Sequence, residues 1–402
     1  MLGLLAGLPR VNCWTVAEHA GAVTPDGMQH LLSRASWDHD GAVEDLRDYV
    51  VEHLGDDDGV LVVDETGDVK KGTATVGVQR QYTGTAGRIE NSQVAVYLVY
   101  AGQRGHAFVD RQLYLPRSWV GDRDRCAAAG VPADIGFATK PALAQQMIDA
   151  ALDAGTPCSW VAGDEVYGNA PDLRADLVRR GIGYVLAVAR DHRITTDAGS
   201  ERAEVLARRL PKRAWRRHSA GPGAKGERLY DWAWIQTTDP AVTTDAAARG
   251  GHWLLIRRSI RTGELAFYRA HAPARVKLAT LARVAGRRWA VEEAFQSGKE
   301  LAGLDEHQVR TWTSWHRWTA LSMLAHAFLT VMAATTPAPT AGKDRLIALT
   351  RNEIRRLLAA FVAPMPDAIE DTPHRLHWSR WRRQHQARAR DCHYRRQEAQ
   401  LA

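Results

Sequence analysis

Apolar runs of strand length that end in an acid recur along this chain, set between stretches with helical spacing. In residues 12–55, Trp14, Val16, Ala17 and Ala20, then Leu31 and Leu32, then Leu46, Tyr49, Val50, Val51 and Leu54 repeat at roughly 3.6 residues and predict helices. At Gly59 the period changes. Val60-Leu61-Val62-Val63 is apolar at every position, as a strand buried on both faces is. Residues 73–81 alternate more loosely, and 93–100 and 106–115 read as strands joined by the turn Gly102-Gln103-Arg104-Gly105. A helix over 141–152, a short strand over 159–162, a helix over 171–180 and a buried strand over 184–188 follow. Meandering strands succeeded by alternating helices and strands predict an α/β fold with a mixed sheet flanked by helices.

The rhythm breaks at about residue 195. Polar loops, the basic run Lys212-Arg213-Ala214-Trp215-Arg216-Arg217 and strand-like runs at 230–237, 253–258 and 265–269 predict a β-rich insertion. Helical spacing returns at 275–302 and 314–334. Pro337, Pro339 and Gly342 form a linker before a helix at 344–361 and an Arg-, His- and Trp-rich tail at 375–396. The expected division is a helical part at 1–57, a core at 58–194, the insertion at 195–272, the second part of the core at 273–335 and a C-terminal helix with the basic tail at 336–402.

Charge narrows the class of partner. A formal net charge of +7 and a pI near 9.3 favour a polyanion. Cys13, Cys126, Cys158 and Cys392 lie far apart and form no CxxC pair, which suits a reducing compartment. The most apolar stretch, 320–334, stops short of the ~20 residues a membrane helix needs. The first ten residues lack the basic start of a signal peptide, so no membrane role and a cytoplasmic location are expected.

Three segments carry the candidate chemistry. Asp64 follows the apolar run Val60-Leu61-Val62-Val63 and precedes the polar Glu65-Thr66-Gly67-Asp68, where a strand is expected to give way to a turn. Asp164 repeats that arrangement after Trp160-Val161-Ala162-Gly163. Taken singly, the first is better read as a turn-initiating or capping acid and the second as a helix-start acid. Glu292 lies in a helical pattern, where Arg288, Glu292 and Lys299 share one side; the bland alternative is a surface pair of Arg288 with Glu292. Brought together, three carboxylates could hold two Mg²⁺ ions, with Mn²⁺ able to substitute, for in-line attack on a phosphodiester. Lys299, Lys70 and Lys71 could then neutralise phosphates.

The segment Arg288-Trp289-Ala290-Val291-Glu292-Glu293-Ala294-Phe295-Gln296-Ser297-Gly298-Lys299 resembles the Tyr-Arg-Glu-Lys signature of DDE transposases in the insertion-sequence 4 superfamily. The blocks Asp64-Glu65-Thr66-Gly67-Asp68-Val69-Lys70-Lys71-Gly72, Gly163-Asp164-Glu165-Val166-Tyr167-Gly168 and Gly303-Leu304-Asp305-Glu306-His307-Gln308-Val309-Arg310 look most like the insertion-sequence 701 family. The resemblance implies a ribonuclease H-like catalytic domain with a β-rich insertion. It implies Mg²⁺-dependent cutting and joining of double-stranded DNA at element ends, a homodimer on paired ends, and a bacterial source. Carried over by position, Asp64, Asp164 and Glu292 match the metal-holding acids, and Arg288 and Lys299 match the basic pair of the signature. The signature's Tyr position holds Ala285, which leaves any role of that Tyr unsupported here.

Further DNA contacts are expected from Lys212, Arg213, Arg216 and Arg217 and from Arg380, Arg382 and Arg383 of the tail, each with a solvated-surface alternative. Trp215 either stacks on a base or packs. Gly221-Pro222-Gly223-Ala224-Lys225-Gly226 follows no predicted strand and opens no helix, so a hairpin or surface loop is expected rather than a phosphate loop. His374, His377, Cys392 and His393 fit no common zinc spacing. Two other readings stay open: a relic that grips DNA without cutting it, and another ribonuclease H-like nuclease.

Overall fold

The structure, a computed structural model, describes residues 1–223, 226–242, 250–336, 347–363 and 372–401. Helices α1 (Leu2–Leu5), α2 (Cys13–His19), α3 (Asp26–Ser33) and α4 (Gly41–Leu54) precede strands β1 (Val60–Val69), β2 (Gln79–Thr83), β3 (Arg88–Ala101) and β4 (His106–Leu113). Next come α5 (Arg117–Val120), α6 (Arg123–Ala128), α7 (Lys140–Asp153), β5 (Trp160–Gly163), α8 (Glu165–Gly168), α9 (Pro171–Arg179) and β6 (Gly183–Val188). A hairpin of β7 (Arg193–Thr196) and β8 (Gly199–Arg202) and helix α10 (Ala203–Arg208) lead into β9 (Arg216–Gly223), β10 (Gly226–Gln236), β11 (Gly251–Arg258) and β12 (Leu265–Ala272). Among the described residues five helices follow: α11 (Leu278–Arg287), α12 (Trp289–Ala302), α13 (Trp312–Thr335), α14 (Arg351–Phe361) and α15 (Thr372–Leu401). Two compact units result, Asp40–Ser297 and, together, Met1–His39 with Gly298–Ala402.

The Asp40–Ser297 unit is organised on one ten-stranded mixed sheet, in the order β2-β3-β1-β5-β6-β12-β11-β10-β9, with β4 also on β3. β1 is antiparallel to β3 and parallel to β5, and β5 is parallel to β6. This is the ribonuclease H-like α/β arrangement that the pattern and the resemblance predict. The strands expected after residue 195 do not make a sheet of their own: β12 pairs antiparallel with β6, so β9–β12 extend the central sheet. The Gly-rich run at 221–226 joins β9 to β10 as a hairpin, with Ala224 and Lys225 outside the described residues.

Three local expectations are corrected. β1 does not give way to a turn after Asp64 but runs on to Val69, because the long β3 pairs with it from Ser92 to Ala101. The loose alternation at 73–81 is mostly a turn, with β2 starting at Gln79; Val76 and Val78 are buried from that turn, not from a strand. The single helix expected at 275–302 is two, meeting at Arg288. There the Gly286 carbonyl accepts from Arg228 Nη2 at 3.2 Å, and the Val291 amide reaches back only three residues, to Arg288, at 3.3 Å.

In the other unit, Leu4, Leu5, Val11, Leu32, Trp318, Ala325, Leu329 and Ile354 form one apolar core. The last predicted helix is shorter than expected and starts at Arg351, while the linker prolines Pro337 and Pro339 and Gly342 lie outside the described residues. Helix α13 has 24 residues, long and apolar enough by composition to cross a membrane, which corrects the expectation that no segment has that length. Its side chains are mostly buried within the protein, including Arg317 and His326, as in a core helix. Trp378 of α15 is buried and donates to the Ala22 carbonyl at 2.9 Å.

Candidate active site

Two parallel strands set the first two acids side by side. Val63 of β1 lies in register with Gly163 of β5, and the next residues are Asp64 and Asp164. Val60, Leu61, Val62 and Val63 are all essentially inaccessible. Burial of each such side chain stabilises by about 1.5–3 kcal/mol, so together they can hold an unfavourable acid at the end of the run. Asp64 continues the strand, and its Oδ1 accepts from the Glu65 amide at 2.8 Å. Asp164 leaves its strand as the N-cap of α8, and its Oδ1 accepts from the Val166 amide at 2.9 Å.

Glu292 lies in the first turn of α12. Arg288, at the junction with α11, joins it to the sheet: Nη2 is 2.7 Å from Glu292 Oε1 and Nη1 is 3.5 Å from Asp64 Oδ2. Two glycines permit this assembly. A Cβ at Gly286 would meet the Ala220 carbonyl of β9 at 1.7 Å, and one at Gly168 would meet the Ala187 carbonyl of β6 at 1.8 Å. Helices α11 and α8 therefore approach the sheet more closely than any side chain would permit.

The acids are held in electrostatic tension. Burial, then the charges of Asp164 and Glu65, push the Asp64 carboxyl up to about 7, against the opposing pull of Arg288. Burial and the charge of Glu65 also raise Asp164. Hard carboxylate oxygens repelling one another suit a divalent cation, which would relieve that repulsion. Among the described residues no three His, Cys, Asp or Glu side chains stand together as a complete ligand set. The structure thus pairs Asp64 with Asp164, while Glu292 is linked to Asp64 through Arg288.

The predicted basic contacts have varied surroundings. Lys70 is mostly buried, 3.8 Å from Asp68, whereas Lys71 is exposed. Lys299 falls further along α12, in the second unit. Lys212 and Arg213 are exposed just before β9, and Arg216 and Arg217 at its start, with Arg217 3.2 Å from Asp231. Trp215 packs on the cluster of Val188, Ile194, Leu254, Ile256 and Phe267, under the Arg258 guanidinium, whose carbon is 4.1 Å from the ring centre. Arg380 and Arg383 are exposed on α15, while Arg382 is tied to Glu18 at 2.6 Å.

A groove of about 880 Å³ that no sequence motif foretells starts at Asp164 and Arg288 and runs along β10, β11 and β12. Arg190, Arg228, Arg257 and Tyr230 line it. Arg228 and Tyr230 share β10, but no spacing along the chain joins them to Arg190, after β6, or to Arg257 of β11. Nor does any motif foretell that Lys140 and Tyr167 hold Glu65. The only signal was that Glu65 and Tyr167 fall inside the two acid blocks.

A ribonuclease H-like sheet with paired acids at its centre defines a class, and the comparison with known families agrees: residues 1–250 match the family described as DDE superfamily endonuclease, and the chain belongs to it. It is also 26% identical, over 262 residues, to a probable transposase for insertion sequence element IS701 from Microchaete diplosiphon. That alignment covers 60% of this chain and 61% of the relative, so the chain spans less than two thirds of the relative's length. Both likenesses support the resemblance to insertion-sequence 701 transposases read from the sequence. The family match ends before Glu292, so the third acid rests on its own helix and on Arg288.

Proposed function

We propose that this protein is a transposase that binds the terminal inverted repeats of a DNA element, cuts the strand there and joins the 3′-hydroxyl to target DNA. The observation that carries this is the placement of Asp64 and Asp164 one residue beyond a shared strand register, with Arg288 connecting Glu292 to the same point. Asp64, Asp164 and Glu292 would hold two Mg²⁺ ions, or Mn²⁺ in their place. Bound there, the ions would activate the attacking water or hydroxyl and stabilise the leaving oxygen.

The chain's own residues supply the rest. Arg288 exchanges a carboxylate for a backbone phosphate when DNA arrives, as a planar guanidinium is suited to do. Arg228 and Arg257 carry the strand along the groove beside Asp164. Lys212, Arg213, Arg216, Arg380 and Arg383 neutralise further phosphates, with Lys70, Lys71, Lys299, Arg217 and Arg382 in supporting contacts. Two copies act on paired ends, in the cytoplasm. The test is Mg²⁺- or Mn²⁺-dependent cleavage of DNA bearing the repeats that flank the gene, with Asp164→Ala alongside. Cutting at the repeat ends by wild type, with binding but no cutting by the variant, is the expected result. Binding without cutting by wild type in either metal would replace this reading with a DNA-gripping relic.

A further inference from the structure

The strand pairing that sets Asp64 and Asp164 side by side ends before it reaches either of them. The parallel ladder between β1 and β5 stops at Val63 and Gly163, one residue short of both acids. Glu65 is placed to supply the missing tie. It follows Asp64 on β1, so its side chain leaves the other face of the sheet. Its Oε1 accepts from Lys140 Nζ at 2.7 Å and its Oε2 accepts from the Tyr167 hydroxyl at 2.7 Å. Lys140 opens α7, and Tyr167 lies in α8, the helix that Asp164 caps. The Tyr167 ring is fully buried and the Glu65 side chain is 17% exposed.

Each oxygen of Glu65 is thus engaged by a donor on a different helix, which distinguishes it from Asp64 and Asp164 as a candidate ligand. On its far side α8 is held a second time, by Arg174 Nη1 donating to the Gly168 carbonyl at 2.7 Å. A carboxylate here also adds negative charge beside the two acids, and Lys140 offsets it.

We propose that Glu65, clamped between Lys140 and Tyr167, is a positioning residue for strand cleavage: it fixes α8, and with it Asp164, against the strand that carries Asp64. This rests on the reading of Asp64 and Asp164 as metal-holding acids. Outer partners of metal ligands cost about 10- to 100-fold in metal affinity or activity when removed.

The test uses the full chain with Tyr167→Phe, which deletes one oxygen and keeps the ring, and Glu65→Gln as a second variant. Cleavage is followed against Mg²⁺ concentration, Mn²⁺ binding by the paramagnetic resonance of the free ion, and DNA affinity separately. Both variants are expected to bind DNA as wild type does, with half-saturating metal raised and turnover lowered by about tenfold or more. Metal dependence and turnover equal to wild type in both would overturn the proposal, as would a loss confined to DNA affinity. Equal Mn²⁺ binding by wild type and Asp64→Asn would instead remove the underlying reading of the acids. Weakened Mn²⁺ binding in Asp64→Asn, together with the expected changes in Tyr167→Phe and Glu65→Gln, leaves that reading standing and supports the clamp.

Discussion

Around Asp239 two arginines surround one carboxylate; around Asp64 one arginine faces several. Both clusters are buried in the Asp40–Ser297 unit, and both touch α8. In the first, Arg174 Nε is 2.7 Å and Arg269 Nη1 is 3.5 Å from Asp239, while Arg269 Nε donates to His192 at 2.9 Å. Burial alone would raise the Asp239 carboxyl, but the hydrogen bond and charge of Arg174, helped by Arg269, bring it below its ordinary value. In the second, burial and neighbouring acids push Asp64 the other way. The same residue types therefore give a satisfied network in one place and an unrelieved one a few strands away. The unrelieved one is where a cation and a phosphate are expected to bind, and its strain is a stability cost carried for function.

The comparison breaks most sharply at the acids. Asp64→Asn and Asp164→Asn are expected to abolish cleavage of element-end DNA. Asp64→Asn should also raise the melting temperature. Its folded pKa lies above its unfolded one, so the stability it contributes is present below pH ~3.8 and is lost as pH rises through about 7. The gain from Asn should accordingly be larger at pH 8 than at pH 5 in paired thermal melts. The opposite sign is expected at the other cluster. Asp239→Ala leaves two buried guanidinium groups facing each other, and denaturant unfolding should show a loss of about 3–5 kcal/mol.

A smaller effect comes from the histidines beside that network. Burial, then Arg269, lowers His192 to about 4, and burial, then His252, lowers His271 to about 4. Both are neutral in the folded chain, so the stability they contribute is present above pH ~6.5 and is lost as pH falls toward about 4. Melting temperature should drop over that window, and less so in His271→Phe. The smallest effects belong to surface cations. Arg213→Ala and Arg216→Ala should each lower the slope of log affinity against log salt by about 0.9 if each meets one phosphate. Arg382→Ala should change it less, because Glu18 already neutralises that group.

Much of the sheet was legible because burial on both faces leaves continuous apolar runs. The strands at Trp160–Gly163 and Gly183–Val188 and the helices at Lys140–Asp153 and Pro171–Arg179 fall within a residue or two of the pattern. Strand partnership was not legible. Nothing local in Phe267 or Tyr268 says that β12 will pair with β6, since that register is set by hydrogen bonds between residues far apart in sequence. The site divides in the same way. Asp64, Asp164 and Glu292 each stand in a recognisable local run, but Arg288 between two of them depends on a helix junction made by Arg228 and Gly286. Lys140 lies 75 residues from Glu65, and no periodicity links them. In sequence Lys70 is a candidate phosphate contact, yet it is mostly buried beside Asp68, because β1 continues past the expected turn.

The measurement that bears most directly on the account is thermal unfolding of the full chain at pH 8 against increasing Mg²⁺ or Mn²⁺, for wild type, Asp64→Asn and Asp164→Asn. A cation that binds the folded acids must stabilise by mass action. The account predicts a concentration-dependent rise in the wild-type melting temperature that is absent from both variants. An equal rise in all three, or none in wild type, would contradict it.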